Sequence, residues 1–97
     1  MFTRIVKMSF QEDKVDQFLA NFDKNKALIR GFSGCHQLKL LRDKTSPNVF
    51  FTYSIWESEE HLEAYRNSDL FKGVWANTKI LFNDKPAAWS VDVLFES

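Results

Sequence analysis

The run Val49-Phe50-Phe51-Thr52-Tyr53-Ser54-Ile55-Trp56-Glu57-Ser58-Glu59-Glu60-His61-Leu62 changes character in its middle. Its first half is dense in aromatic and β-branched residues, which suit a pleated, packed strand. Both parities are apolar there: Phe50 and Trp56 on one, Val49, Phe51, Tyr53 and Ile55 on the other. Ser58 then offers a hydroxyl that can cap a helix, and Glu59 and Glu60 follow where the helix dipole is positive. A strand apolar on both faces and leading straight into a capped helix calls for cover on each side of its sheet.

Upstream, Asp43-Lys44-Thr45-Ser46-Pro47-Asn48 is a turn, and Cys35 to Arg42 reads as the strand that pairs across it. Before it, Val15, Phe18, Leu19, Phe22 and Ile29 form a helical stripe opened by Gln11-Glu12-Asp13 and ended at Gly31, with Gly34 easing entry into the strand. Residues 2–10 carry Phe2, Ile5, Val6, Met8 and Phe10 and predict the first strand.

Downstream of Leu62, Asn67-Ser68-Asp69 interrupts the helix, and Ser68 can cap a further segment carrying Leu70, Phe71, Val74, Trp75 and Thr78 and reaching toward Leu81-Phe82. After the turn Asn83-Asp84-Lys85-Pro86, the alternation of Trp89, Val91, Val93 and Phe95 predicts a last strand over 87–95. The order is β-α-β-β-α-β: one α+β domain over 1–97 with a ferredoxin-like, four-stranded antiparallel sheet. Two helices cover one face of such a sheet. The apolar residues of the other parity predict a second copy on the remaining face, a two-fold homodimer.

Composition narrows the function. Thirteen basic residues balance thirteen acidic ones, which argues against electrostatic binding to nucleic acid or an anionic membrane. No stretch of eighteen apolar residues is available to span a membrane, and the N-terminal residues lack the apolar run of a signal peptide. The single cysteine, Cys35, excludes an internal disulfide, and with two histidines far apart no metal-ligand spacing is present. The expected location is the cytoplasm. Without a glycine-rich phosphate loop no nucleotide cofactor has an anchor. Aromatic residues make up 15% of the chain, more than a small core hides, so some are expected to line a pocket or a subunit interface.

Ile55-Trp56-Glu57-Ser58-Glu59-Glu60-His61-Leu62 and Tyr65-Arg66-Asn67-Ser68-Asp69-Leu70-Phe71-Lys72 resemble, in order and spacing, the strand-end tryptophan, capped acidic helix and helix break of the antibiotic biosynthesis monooxygenase family. The resemblance covers nearly the whole chain. It implies a dimeric α/β barrel with a pocket between sheet and helices, and oxidation of electron-rich phenols or quinols by molecular oxygen with no cofactor. The haem-degrading relatives carry an Asn, a Trp and a His where this chain has Val6, Tyr65 and Trp75. With no axial histidine at that place, the resemblance does not extend to haem chemistry. Ser54 stands where many relatives have a carboxylate, and Asp69-Leu70 where many have a histidine.

Such chemistry needs a base, donors for a developing oxyanion and a dry aromatic pocket. Trp75 offers an indole N–H and Tyr65 a phenolic donor, and each also reads as a packed aromatic. His36, in register with Leu38 and Leu40, is the better candidate base, ahead of His61 in the acidic first turn; it also reads as a structural strand-end histidine. Arg4 shares its parity with Phe2, Val6 and Met8 and would hold a phenolate or carboxylate if that parity faces the pocket. The expected catalytic set is Trp75, Tyr65 and His36, and the substrate-binding set Trp56, Arg4, Phe71 and Val6. Two functions fit: a monooxygenase for a small aromatic or quinol-like molecule, and a non-catalytic dimeric protein that binds one.

Overall fold

A computed structural model describes all 97 residues, Met1–Ser97. Strand β1 spans Phe2–Ser9 and is followed by a short 3-10 turn at Glu12–Lys14 and helix α1, Val15–Arg30. Strands β2, Cys35–Arg42, and β3, Val49–Trp56, form the hairpin. Helices α2, Glu59–Arg66, and α3, Asp69–Lys79, precede β4, Ala87–Val91. The sheet order is β2-β3-β1-β4, and each neighbouring pair is antiparallel. No helix is long and apolar enough to cross a membrane.

The strand register sorts the side chains. β1 pairs with β3 as Phe2↔Trp56 through Met8↔Phe50, even residue against even. Arg4↔Ser90 and Val6↔Ala88 extend the same row to β4, and Leu38↔Ser54 and Leu40↔Thr52 extend it to β2. Side chains alternate across a strand, so this row forms the face toward the helices and the odd row the other. Ile5, Phe51, Tyr53, Ile55, Trp89 and Val91 therefore share the outer face, where Trp89 is 48% and Val91 40% exposed.

Both helix starts expected from sequence are present. Ser58 and Ser68 are extended, and their hydroxyls accept from the backbone N–H of His61 at 3.2 Å and of Phe71 at 3.1 Å. α1 begins later than its acidic opening suggests, because Glu12–Lys14 forms the 3-10 turn instead.

Two ends differ more. α3 stops at Lys79 and does not reach Phe82. The backbone beyond it is used by the end of β1: Gln11 N–H donates to the Leu81 carbonyl at 3.0 Å, Asn83 N–H donates to Ser9 O at 3.0 Å, and Phe82 bridges Phe10. β4 ends at Val91 rather than Phe95 because its partner runs out there, Val91 lying opposite Thr3. Val93, Leu94 and Phe95 are exposed.

Gly34 adopts φ +88°, and an added Cβ there would lie 2.4 Å from His61 Cβ. Its carbonyl accepts from Glu57 N–H at 2.8 Å, tying the loop to the end of β3.

The core has two parts. Met8, Phe10, Val15, Phe18, Phe50 and Leu81 form one cluster; Ile29, Cys35, Trp56, Leu62 and Tyr65 form the other. Trp56, Phe10 and Phe50 are the largest fully buried side chains. Each contributes on the order of 2–3 kcal/mol by burial.

Candidate active site

At the centre of the inner sheet face the side chains are short: Thr52 and Ser54 on β3, Ala88 on β4. Helical side chains do not fill the space above them, and a cavity of about 330 Å³ remains. This is at the small end of the range for small-molecule sites. Arg4, Val6 and Met8 of β1, Leu38 of β2 and Trp56 of β3 complete the floor. The roof comes from Phe18, Phe22 and Ile29 of α1, from Leu62, Tyr65 and Arg66 of α2, and from Phe71, Val74, Trp75 and Thr78 of α3.

Six of the seven residues expected from sequence meet here: Trp75, Tyr65, Trp56, Arg4, Phe71 and Val6. His36 does not line the cavity. Its side chain is 41% exposed, with Nε2 3.2 Å from Glu57 Oε1. The cause is a β-bulge between Cys35 and Gln37. One extra residue in β2 turns Cys35 into the core and leaves His36 on the solvent side, so the in-step reading with Leu38 and Leu40 fails at this position. His61 is also outside, its Nδ1 2.7 Å from Ser58 Oγ and its Nε2 3.6 Å from Glu57 Oε2. No three His, Cys, Asp or Glu side chains converge in a metal-binding arrangement.

The polar groups of the cavity fall into committed and free ones. Trp56 Nε1 donates to Ser54 Oγ at 3.0 Å, so that N–H is taken. The Thr78 hydroxyl donates to Val74 O at 2.7 Å and accepts from Asn21 Nδ2 at 3.3 Å. By contrast, the Tyr65 and Thr52 hydroxyls and the Trp75 N–H, all on lining residues, make no hydrogen bond within the protein, and none of them is a fully buried atom. Tyr65 stacks on Trp56 at 5.2 Å and meets Phe71 edge-on at 5.2 Å; Phe71 in turn stacks on Trp75 at 5.9 Å and 10°.

Burial, with a smaller contribution from Cys35, pushes the Tyr65 phenol up to about 12. It is therefore a hydrogen-bond donor throughout the neutral range. An unfolded tyrosine ionises near 10, so this group supports the fold fully below that pH, and its support is lost as pH rises through about 12. Burial likewise raises the Cys35 thiol, against the opposing influence of Arg30 and of a hydrogen bond from the Gln37 backbone.

Arg4 lies between two hydroxyls, opposite Ser54 and Ser90, and its Nη1 donates to Ser90 Oγ at 2.9 Å. Burial and then the nearby Arg66 lower its pKa, while Glu63 opposes them. Arg66 is a lining residue that the sequence pattern did not single out. Its signal was its place four residues after Leu62, which puts both on one helix flank.

The sequence matches the family model described as antibiotic biosynthesis monooxygenase over residues 1–76. No curated protein matches it. A solved antibiotic biosynthesis monooxygenase superposes with TM-score 0.91 at 15% identity, covering 97% of this chain and 99% of the other. A Nitrosomonas europaea protein, named as a candidate of the same kind, gives TM-score 0.90 at 16% identity over 98% and 100%. A conserved Methanosarcina mazei protein gives 0.88 at 17% over 95% and 92%. At such identities the structural likeness speaks for the fold alone.

Proposed function

Because the chain belongs to the antibiotic biosynthesis monooxygenase family, we propose that it oxidises a small aromatic or quinol-like substrate with molecular oxygen and no cofactor. The observation that carries this reading is the aromatic cavity whose lining residues include unpaired donors, among them the Tyr65 O–H and the Trp75 N–H. In the conversion of an activated ring methylene to a carbonyl, the carbon loses two hydrogens and gains one oxygen atom. The second oxygen atom leaves with those hydrogens as water, so the substrate supplies every electron. Negative charge appears on the ring oxygen as the substrate is deprotonated, and donors placed beforehand stabilise it. The lining holds no histidine or carboxylate to act as the base. The substrate proton therefore passes to solvent along the open edge at β4, where Ala88 is exposed.

The test is oxygen consumption by the purified protein with a panel of hydroquinones and anthrones. Uptake above the autoxidation rate is expected for at least one of them. Binding without uptake across the panel favours the second reading, a non-catalytic dimeric binding protein. That reading is favoured by one observation, the exclusion of His36 from the cavity by the bulge.

The same proposal includes a homodimer packed through the outer sheet face, where Ile5, Phe51, Tyr53, Ile55 and Trp89 form an apolar patch. Light scattering is expected to give about twice the chain mass of 11.4 kDa. Trp89→Glu should give the single-chain mass, because a carboxylate buried without a partner in that interface is strongly unfavourable. A wild-type monomer at micromolar concentration would sink the dimer. Cys35, buried and unpaired, suits a reducing compartment, and the reading places the protein in the cytoplasm.

A further inference from the structure

The chain as a whole is electrically balanced, with thirteen basic and thirteen acidic residues. The cavity is not. Arg4 and Arg66 both line it, and no aspartate or glutamate does. Arg4 rises from the sheet floor and is held only by the neutral hydroxyl of Ser90 at 2.9 Å. Arg66 ends α2 on the roof and is half-exposed, its Nη1 3.5 Å from Glu63 Oε2. Two like charges facing one partly dry space are unfavourable unless something negative joins them. Burial and then Arg66 lower the Arg4 pKa and Glu63 opposes them, so one carboxylate is shared near two guanidinium groups. Next to this pair stands the wall of Tyr65, Phe71 and Trp75.

We propose that the cavity selects an aromatic oxyanion, with its ring against Tyr65, Phe71 and Trp75 and its charged oxygens on Arg4 and Arg66. A guanidinium presents a fork of N–H donors that matches a carboxylate with two parallel bonds and a phenolate with one or two. The cavity volume of about 330 Å³ limits the body to a small ring system rather than a long chain. The assignment rests on the cavity being the ligand site, as the proposed oxidation requires, but it concerns recognition and is separable from turnover.

The experiment is calorimetric titration of the full chain at neutral pH with four probes: naphthoate, naphthamide, para-nitrophenolate and cyclohexanecarboxylate. At least one aromatic anion is expected to bind about tenfold or more tightly than naphthamide, the loss expected for one charge-assisted contact. Whether naphthoate or para-nitrophenolate leads tells a carboxylate ligand from a phenolate one. Cyclohexanecarboxylate should bind more weakly than naphthoate. Arg4→Gln and Arg66→Gln should each reduce the preference for the anion, whereas Lys44→Gln, an exposed charge outside the cavity, should leave it unchanged. Arg66 is half-exposed, so its variant folds even if the Arg4 variant is destabilised.

Binding of naphthoate and of para-nitrophenolate that is no tighter than that of naphthamide overturns the proposal. So does a preference that survives in both variants, or no binding by any aromatic anion at millimolar concentration. If anion preference is intact and no quinol or anthrone consumes oxygen, the oxidation reading fails alone. If neutral quinols turn over and no anion is preferred, this inference fails alone.

Discussion

Gly34→Ala is expected to lower the melting temperature by about 15 °C, read by circular dichroism on heating. Two costs add. An alanine at φ +88° sits in the left-handed region, which costs an L-residue roughly 1–2 kcal/mol. Its Cβ would also lie 2.4 Å from His61 Cβ and 2.4 Å from Cγ, a clash with the stem of the side chain rather than with a flexible tip. Forcing an extra carbon into such a space costs roughly 1–3 kcal/mol. Together these give about 3 kcal/mol, and a domain of this size shifts by roughly 4–8 °C for each. The loop has little freedom to move away, because the Gly34 carbonyl is bonded to Glu57 N–H at 2.8 Å. A shift of only two or three degrees would mean that α2 yields at its first turn.

Trp75→Phe is expected to cut kcat by about a hundredfold while leaving KM and the melting temperature nearly unchanged. The phenyl ring keeps the stack on Phe71 and the edge contact to Phe82 at 5.5 Å, so the packing loss is small. The loss is of the one N–H on that wall with no protein acceptor. Removing a donor that meets charge only as it develops typically costs a factor of about 10²–10³ in rate. Steady-state oxygen uptake with whichever panel substrate is turned over supplies both constants. If kcat is unchanged, Trp75 is only a wall. If KM rises instead, it binds the ground state as strongly as the transition state.

Local chemistry made most of the fold legible. The two serine caps, the aromatic run of β3 and the stripe of α1 announce themselves within a few residues, and the structure bears them out. The ends that differ are set by distant partners. Val91 stops β4 because Thr3 is near the end of β1's pairing, and Leu81 and Asn83 leave the helix to bond with residues near the end of β1. Of the candidate site, parity grouped Arg4, Val6 and Met8 on one face of β1 without telling which way that face turned, and periodicity gave the flank of α3. His36 was misplaced because a bulge is a property of two paired strands, and β2 alone shows no sign of it. Arg66 escaped notice because it ends α2 exposed beside Asn67, as an ordinary solvated charge would.

The division of the core into two clusters has a mechanical consequence. Met8 and Phe18 from the first cluster share the cavity wall with Ile29, Trp56, Leu62 and Tyr65 from the other. The row Phe71–Trp75–Phe82 joins the clusters along one side. The cavity thus lies between two half-cores that β1, β3 and α1 run through without a break. A ligand seated there would touch both half-cores at once, and at a hundred times its Kd it adds about 2.7 kcal/mol to the stability of the whole.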